Sequence, residues 1–91
     1  MEPNPSPRVM LVDANAIFRR GLRLLLESEG IEVCGEVPGT RTALAQVELL
    51  VPDIVLIDVA AFDGTGITAI HSILAGNTGA AILAHDRVTA R

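Results

Sequence analysis

Two aspartates carry most of the chemistry that this sequence offers. Asp13 directly follows the apolar run RVMLV (8–12), and Asp58 ends the run DIVLID (53–58), 45 residues further on. Carboxylates brought close together repel, and a proton, an Arg or a divalent cation neutralises them. Mg²⁺ takes oxygen ligands in octahedral geometry and often uses one or two carboxylates with waters and phosphate oxygens. A Mg²⁺-assisted phosphoryl site is therefore one reading, with Asp58 as the nucleophile that becomes an aspartyl phosphate. The other reading is that both aspartates solvate strand ends and cap the turns that follow. His85 and Asp86 fall near the same place. Asp63 lies in DGTG (63–66), which lacks the G-x-G-x-x-G spacing of a dinucleotide loop. His71 reads as a partly buried structural histidine and Cys34 as a small packing residue. One Cys and two His, far apart in the chain, give a zinc site little support.

The elements that must position these groups follow from apolar periodicity. RVMLV (8–12) is a short strand. NAIFRRGLRLLLESEG (15–30) is helical: Phe18, Leu22, Leu25 and Leu26 share one face, which Ile17, Gly21 and Leu24 widen. Arg19, Arg20 and Arg23 lie mostly opposite and read as a solvated face. IEVCGEV (31–37) alternates, with Ile31, Val33 and Val37 on one side and Glu32 and Glu36 on the other, as in an edge strand. Thr40 is placed to cap RTALAQVELLV (41–51), whose Leu44, Val47 and Val51 are at helical spacing, and Pro52 ends that helix. The buried middle of 53–58 suits a strand covered on both faces. GITAIHSILAG (66–76) is helical through Ile67, Ile70 and Leu74, and AAILA (80–84) is a fourth strand.

The order β-α-β-α-β-α-β implies a doubly wound α/β fold with a parallel sheet and right-handed crossovers. In such sheets sites form beyond the carboxyl ends of the strands. If strands one and three are neighbours, Asp13 and Asp58 converge on one rim.

Composition narrows the function classes. The 91 residues suit one domain, with residues 1–7 (MEPNPSP) as a loose tail and 8–91 as the folded part. A net charge of −4, with all seven basic residues Arg and no Lys, argues against a nucleic-acid surface on this chain. A single cysteine, no leader-like start and no apolar run near membrane-spanning length fit a cytoplasmic protein that meets no membrane.

The stretches RVMLVDANAIFRRGLRLLLESEGIEVCGEV, PDIVLIDVAAFDGTGITAI and AILAHD together resemble a response-regulator receiver domain of the NarL type, from Arg8 to about Asp86. The resemblance implies a flavodoxin-like receiver fold with strand order 2-1-3-4, shortened by the fifth strand and last helix. It implies a signalling module of two-component systems rather than an enzyme with an external substrate. Asp58 would be the phosphoacceptor for a sensor histidine kinase. Asp13, Asp58 and the main-chain carbonyl of Ala60 would hold Mg²⁺. The family usually has a second acid after the first strand, where this chain has Ala14. It has a Thr or Ser at the end of the fourth strand, assigned here to Ala84, and a Lys on the fifth strand. Phe62 stands where a Pro is common. These departures weaken the pocket and give a second expectation: a pseudo-receiver that acts by protein–protein contact, with a homodimer as one form. A full regulator of this type reaches DNA, and so transcription, through a C-terminal domain outside this sequence.

Overall fold

The computed structural model describes residues 6–39, 41–58, 65–76 and 79–85, with only the backbone over 65–69. The elements follow the expected order: β1 (Arg8–Val12), α1 (Ala16–Ser28), β2 (Glu32–Val37), α2 (Ala43–Leu50), β3 (Ile54–Asp58), α3 (Thr65–Ala75) and β4 (Ala81–His85). The four strands form one parallel sheet of order β2-β1-β3-β4. β1 and β3 are thus the central pair. Their apolar side chains are covered from both sides, which is why Val9–Val12, Val55 and Ile57 are buried.

Two cores lie on opposite faces of the sheet. Under α1, Val9, Leu11 and Val33 pack with Leu22, Leu26, Ile31, Ile54 and Leu56. Under α2 and α3, Met10, Val12, Val37, Val55 and Ile57 pack with Ala43, Val47 and Ile73. Val33 and Val37 therefore face opposite ways, although plain alternation puts them on one side. The register explains this. Val9 pairs with Val33 but Met10 pairs with Gly35, so the ladder skips Cys34. Such an irregularity adds a residue to one strand and inverts the facing of all that follows. Cys34 packs at the edge of the second core, and burial pushes its thiol pKa up. At Gly35 an added Cβ would run into Leu50, so the glycine lets α2 close on β2.

The helices also turn differently from their apolar patterns. In α1 the inward stripe is Arg19, Leu22, Arg23 and Leu26, at i, i+3, i+4 and i+7. Ile17, Leu24 and Leu25 are largely exposed, and Phe18 is about one-third exposed. The expected solvated face of Arg19 and Arg23 instead lies over the sheet, because Glu36 on β2 offers both a charged partner. In α3, Ile73 fills the core while Leu74 is exposed, and His71, expected to be partly buried, is exposed. The capping residue expected at Thr40 lies outside the described residues; Thr42 precedes α2 without a side-chain cap bond.

α2 ends on Val51, which has φ +50° and is the sole non-glycine with positive φ among the described residues. A β-branched residue is costly in this left-handed region. Arg8 holds the turn from β1: its Nη1 donates to the Leu50 and Val51 carbonyls at 2.7 and 2.9 Å. Val51 is 60% exposed, so its side chain contributes little packing. Val51→Gly is expected to raise stability by about 0.5–1 kcal/mol, the relieved strain exceeding the extra chain entropy. A higher urea midpoint followed by far-UV circular dichroism would show it.

Candidate functional site

The candidate site is the carboxyl-end rim of β1 and β3. Val12 pairs with Ile57, and continuing that register sets Asp13 beside Asp58. Both side chains are withdrawn from solvent, at 2% and 1% exposure. They are the buried charged residues among the described residues, and nothing in core packing calls for a carboxylate at either place.

Local structure fixes Asp13 closely. Its N–H donates to the Val37 carbonyl at 3.1 Å, continuing the ladder with β2 by one residue. Its Oδ1 accepts from the Asn15 N–H at 2.8 Å. Asn15 is itself the N-cap of α1, its Oδ1 accepting from the Phe18 N–H at 2.8 Å. The cap, which apolar periodicity does not mark, starts the helix two residues after the acid. Ala14, between them, is exposed.

On β4 the register places His85, not Ala84, directly beside Asp58; Ala84 pairs with Ile57. The His85 ring lies 5.8 Å from the Phe18 ring, tilted by 38°, so His85 turns toward α1. Ile82 packs on the other face of the sheet. By alternation Ala84 shares the side of Ile82 and Ile57. The carbonyl of Ala60, Phe62, Asp63 and Asp86 lie outside the described residues.

The donor set suits a hard cation. It consists of two carboxylates, and Mg²⁺ often uses one or two carboxylates with water completing its shell. Among the described residues no group of three His, Cys, Asp or Glu side chains could hold a metal, so a soft or all-protein metal cage has no support there. Nor is any helix among them long and apolar enough to cross a membrane.

β2 contributes a charged cluster that flanks the rim. Glu36 accepts from Arg19 Nε at 2.9 Å and from Arg23 Nη1 at 2.5 Å. Burial pushes the Glu36 carboxyl up, but the hydrogen bonds from Arg23 and Arg19 outweigh it and hold the pKa below the usual carboxylate value. Glu36 is 12% exposed as a side chain.

Comparison with known proteins agrees with this fold. The family described as "Response regulator receiver domain" matches residues 9–86. The chain is 37% identical over 67 residues to the chemotaxis protein CheY of Thermotoga maritima, covering 74% of this chain and 56% of CheY. It is 37% identical over 68 residues to the DNA-binding transcriptional activator DevR/DosR of Mycobacterium tuberculosis, covering 74% of this chain and 31% of that protein. The crystal structure of the response regulator PhyR from Brucella abortus superposes with a TM-score of 0.76 at 30% identity, covering 87% of this chain and 32% of PhyR. Across curated relatives of this kind, the chain spans from 16% to 56% of their own length. With a match from residue 9 to residue 86, the chain belongs to the response regulator receiver domain family of two-component signalling.

Proposed function

We propose that Asp58 accepts a phosphoryl group from a sensor histidine kinase. The observation that carries this reading is the juxtaposition of Asp13 and Asp58, almost fully buried, at the ends of the two central strands. A carboxylate oxygen of Asp58 attacks phosphorus. A P–O bond forms, the P–N bond of the donor phosphohistidine breaks, and the departing imidazole takes up a proton. Asp13, Asp58 and the Ala60 main-chain carbonyl are the residues to hold Mg²⁺, which when bound supplies positive charge against the phosphoryl oxygens. Ala14 in place of a second acid leaves this pocket poorer in ligands. The chain acts in the cytoplasm as the receiver part of a larger regulator, and any contact with DNA is made by another domain.

The test is incubation with acetyl phosphate and Mg²⁺, followed by intact-mass measurement. Addition of one phosphoryl group that is absent in Asp58→Asn and without Mg²⁺ is the expected result. No addition to the wild-type chain would discard phosphotransfer. The reading that then stands is a pseudo-receiver, favoured by Ala14, which works through protein contacts, including those with a second copy of the chain. It requires a complex indifferent to Mg²⁺ and to Asp58→Ala.

A further inference from the structure

We propose that Arg19 is a positioning residue for the cation site, acting through the main chain of Asp13. This rests on the reading of Asp13 and Asp58 as cation ligands. Arg19 reaches across the α1–sheet interface with two prongs. Its Nη1 donates to the Asp13 carbonyl at 2.6 Å, and its Nε donates to Glu36 Oε1 at 2.9 Å. The side chain is 17% exposed and Glu36 is 12% exposed, so the bridge is largely shielded from water.

The consequence is that both ends of the Asp13 residue are tied to the same strand. Its N–H bonds to β2 directly, through the Val37 carbonyl. Its C=O bonds to β2 indirectly, through Arg19 and Glu36. With both main-chain groups held, the Cα–Cβ direction is fixed, and the carboxylate is aimed before any cation arrives. Glu36 also orients the guanidinium, since a charge-assisted bond to Nε fixes the direction of the rigid fork whose Nη1 meets the Asp13 carbonyl. Arg23 binds the same Glu36 through Oε2, and its other partner is Glu27 at 3.3 Å, not the Asp13 loop. Arg19 and Arg23 therefore share the burden on β2 and differ at the site.

That difference supplies the test. Mn²⁺, a hard divalent ion with visible electron paramagnetic resonance, is titrated into the full chain and into R19M, R19K and R23M. The free-ion signal is read at a urea-free condition where each variant is folded by circular dichroism. Orienting partners of metal ligands contribute about 10-fold or more to affinity. R19M is expected to bind about 10-fold more weakly than wild type, R19K to fall between them because it keeps one donor, and R23M to bind as wild type does. R23M loses stability with no loss of affinity, a split that a merely structural role for Arg19 would not produce. If the Arg19 variants bind as tightly as R23M, or if R23M weakens binding as much as they do, the assignment is overturned. R19K against R23M decides the question even where R19M does not fold. A wild-type chain that takes up no Mn²⁺ overturns the cation site itself, a different outcome from equal binding by all four proteins.

Discussion

Ile57→Ala is expected to lower the free energy of unfolding by about 2–5 kcal/mol, the range for losing a buried Ile side chain and leaving part of a cavity. Ile57 is fully buried and belongs to the core formed with Met10, Val12, Val37, Val47, Val55 and Ile73. It sits between Val12 and Ala84 in the sheet, so strands on both sides prevent collapse around the deletion. Domains of this size have a total stability of about 5–15 kcal/mol, and the loss is a large fraction of that. Ile57 also immediately precedes Asp58, so the variant tests how much of the rim depends on the core beneath it. Urea unfolding followed by far-UV circular dichroism is the measurement, since the chain has no Trp or Tyr to follow by fluorescence. Leu49→Ala is the comparison: Leu49 is 73% exposed on α2, and its removal is expected to change stability by less than about 0.5 kcal/mol. Equal effects of the two substitutions would contradict the core described above.

Glu36 is the second position with a large expected effect. Glu36→Gln keeps the shape and an acceptor but removes the charge that faces Arg19 and Arg23. Hydrogen bonds to charged groups contribute about 1.5–3 kcal/mol each in shielded settings. Arg23 is 35% exposed and can turn to water, which reduces its share. A total loss of about 1–3 kcal/mol at neutral pH is therefore expected. The pH dependence has a definite sign. The Glu36 pKa in the folded chain is held below its ordinary value of 4.5. A depressed acid contributes stability that is fully present above its unfolded pKa and is lost as pH falls through the folded pKa. Wild type should thus lose this contribution on acidification from about pH 5 downward, and E36Q should lack that component. Urea midpoints of both proteins between neutral and acid pH would show the two curves converging as pH falls. Curves that run parallel would mean that Glu36 gains nothing from its arginines.

Much of this protein is legible in the sequence, because the signals involved are local. Apolar runs and their period set the order of strands and helices, and the alternation of strand with helix set a parallel sheet. The abrupt change from Ile57 to Asp58 marked the carboxyl end of β3, where a carboxylate is neither core nor turn. Asp13, after β1, was marked in the same way. The order of elements put both acids at carboxyl ends of strands, and the adjacency of β1 and β3 brought them to one rim.

The failures have a common physical form: each is a matter of which way a side chain faces. Val37 was expected beside Val33, but a one-residue irregularity at Cys34 turned it to the other side of the sheet. An extra residue in a ladder leaves no mark in the amino-acid pattern, because it depends on the partner strand. The same shift aims Glu36 at α1, where Arg19 and Arg23 outcompete Leu24 and Leu25 for the inward position. On α1 itself, periodicity could rank an apolar stripe but could not foresee a buried carboxylate across the interface. Separately, the sequence alone leaves open which β4 residue neighbours Asp58; strand register, which only pairing with β3 defines, sets His85 there. The sequence by itself thus determined the elements, their order and the acids at the rim, since these depend on near neighbours in the chain. Only the tertiary structure decided the facing of Val37, the Arg19 bridge to Asp13 and the place of His85, because each depends on groups brought together from distant parts of the chain.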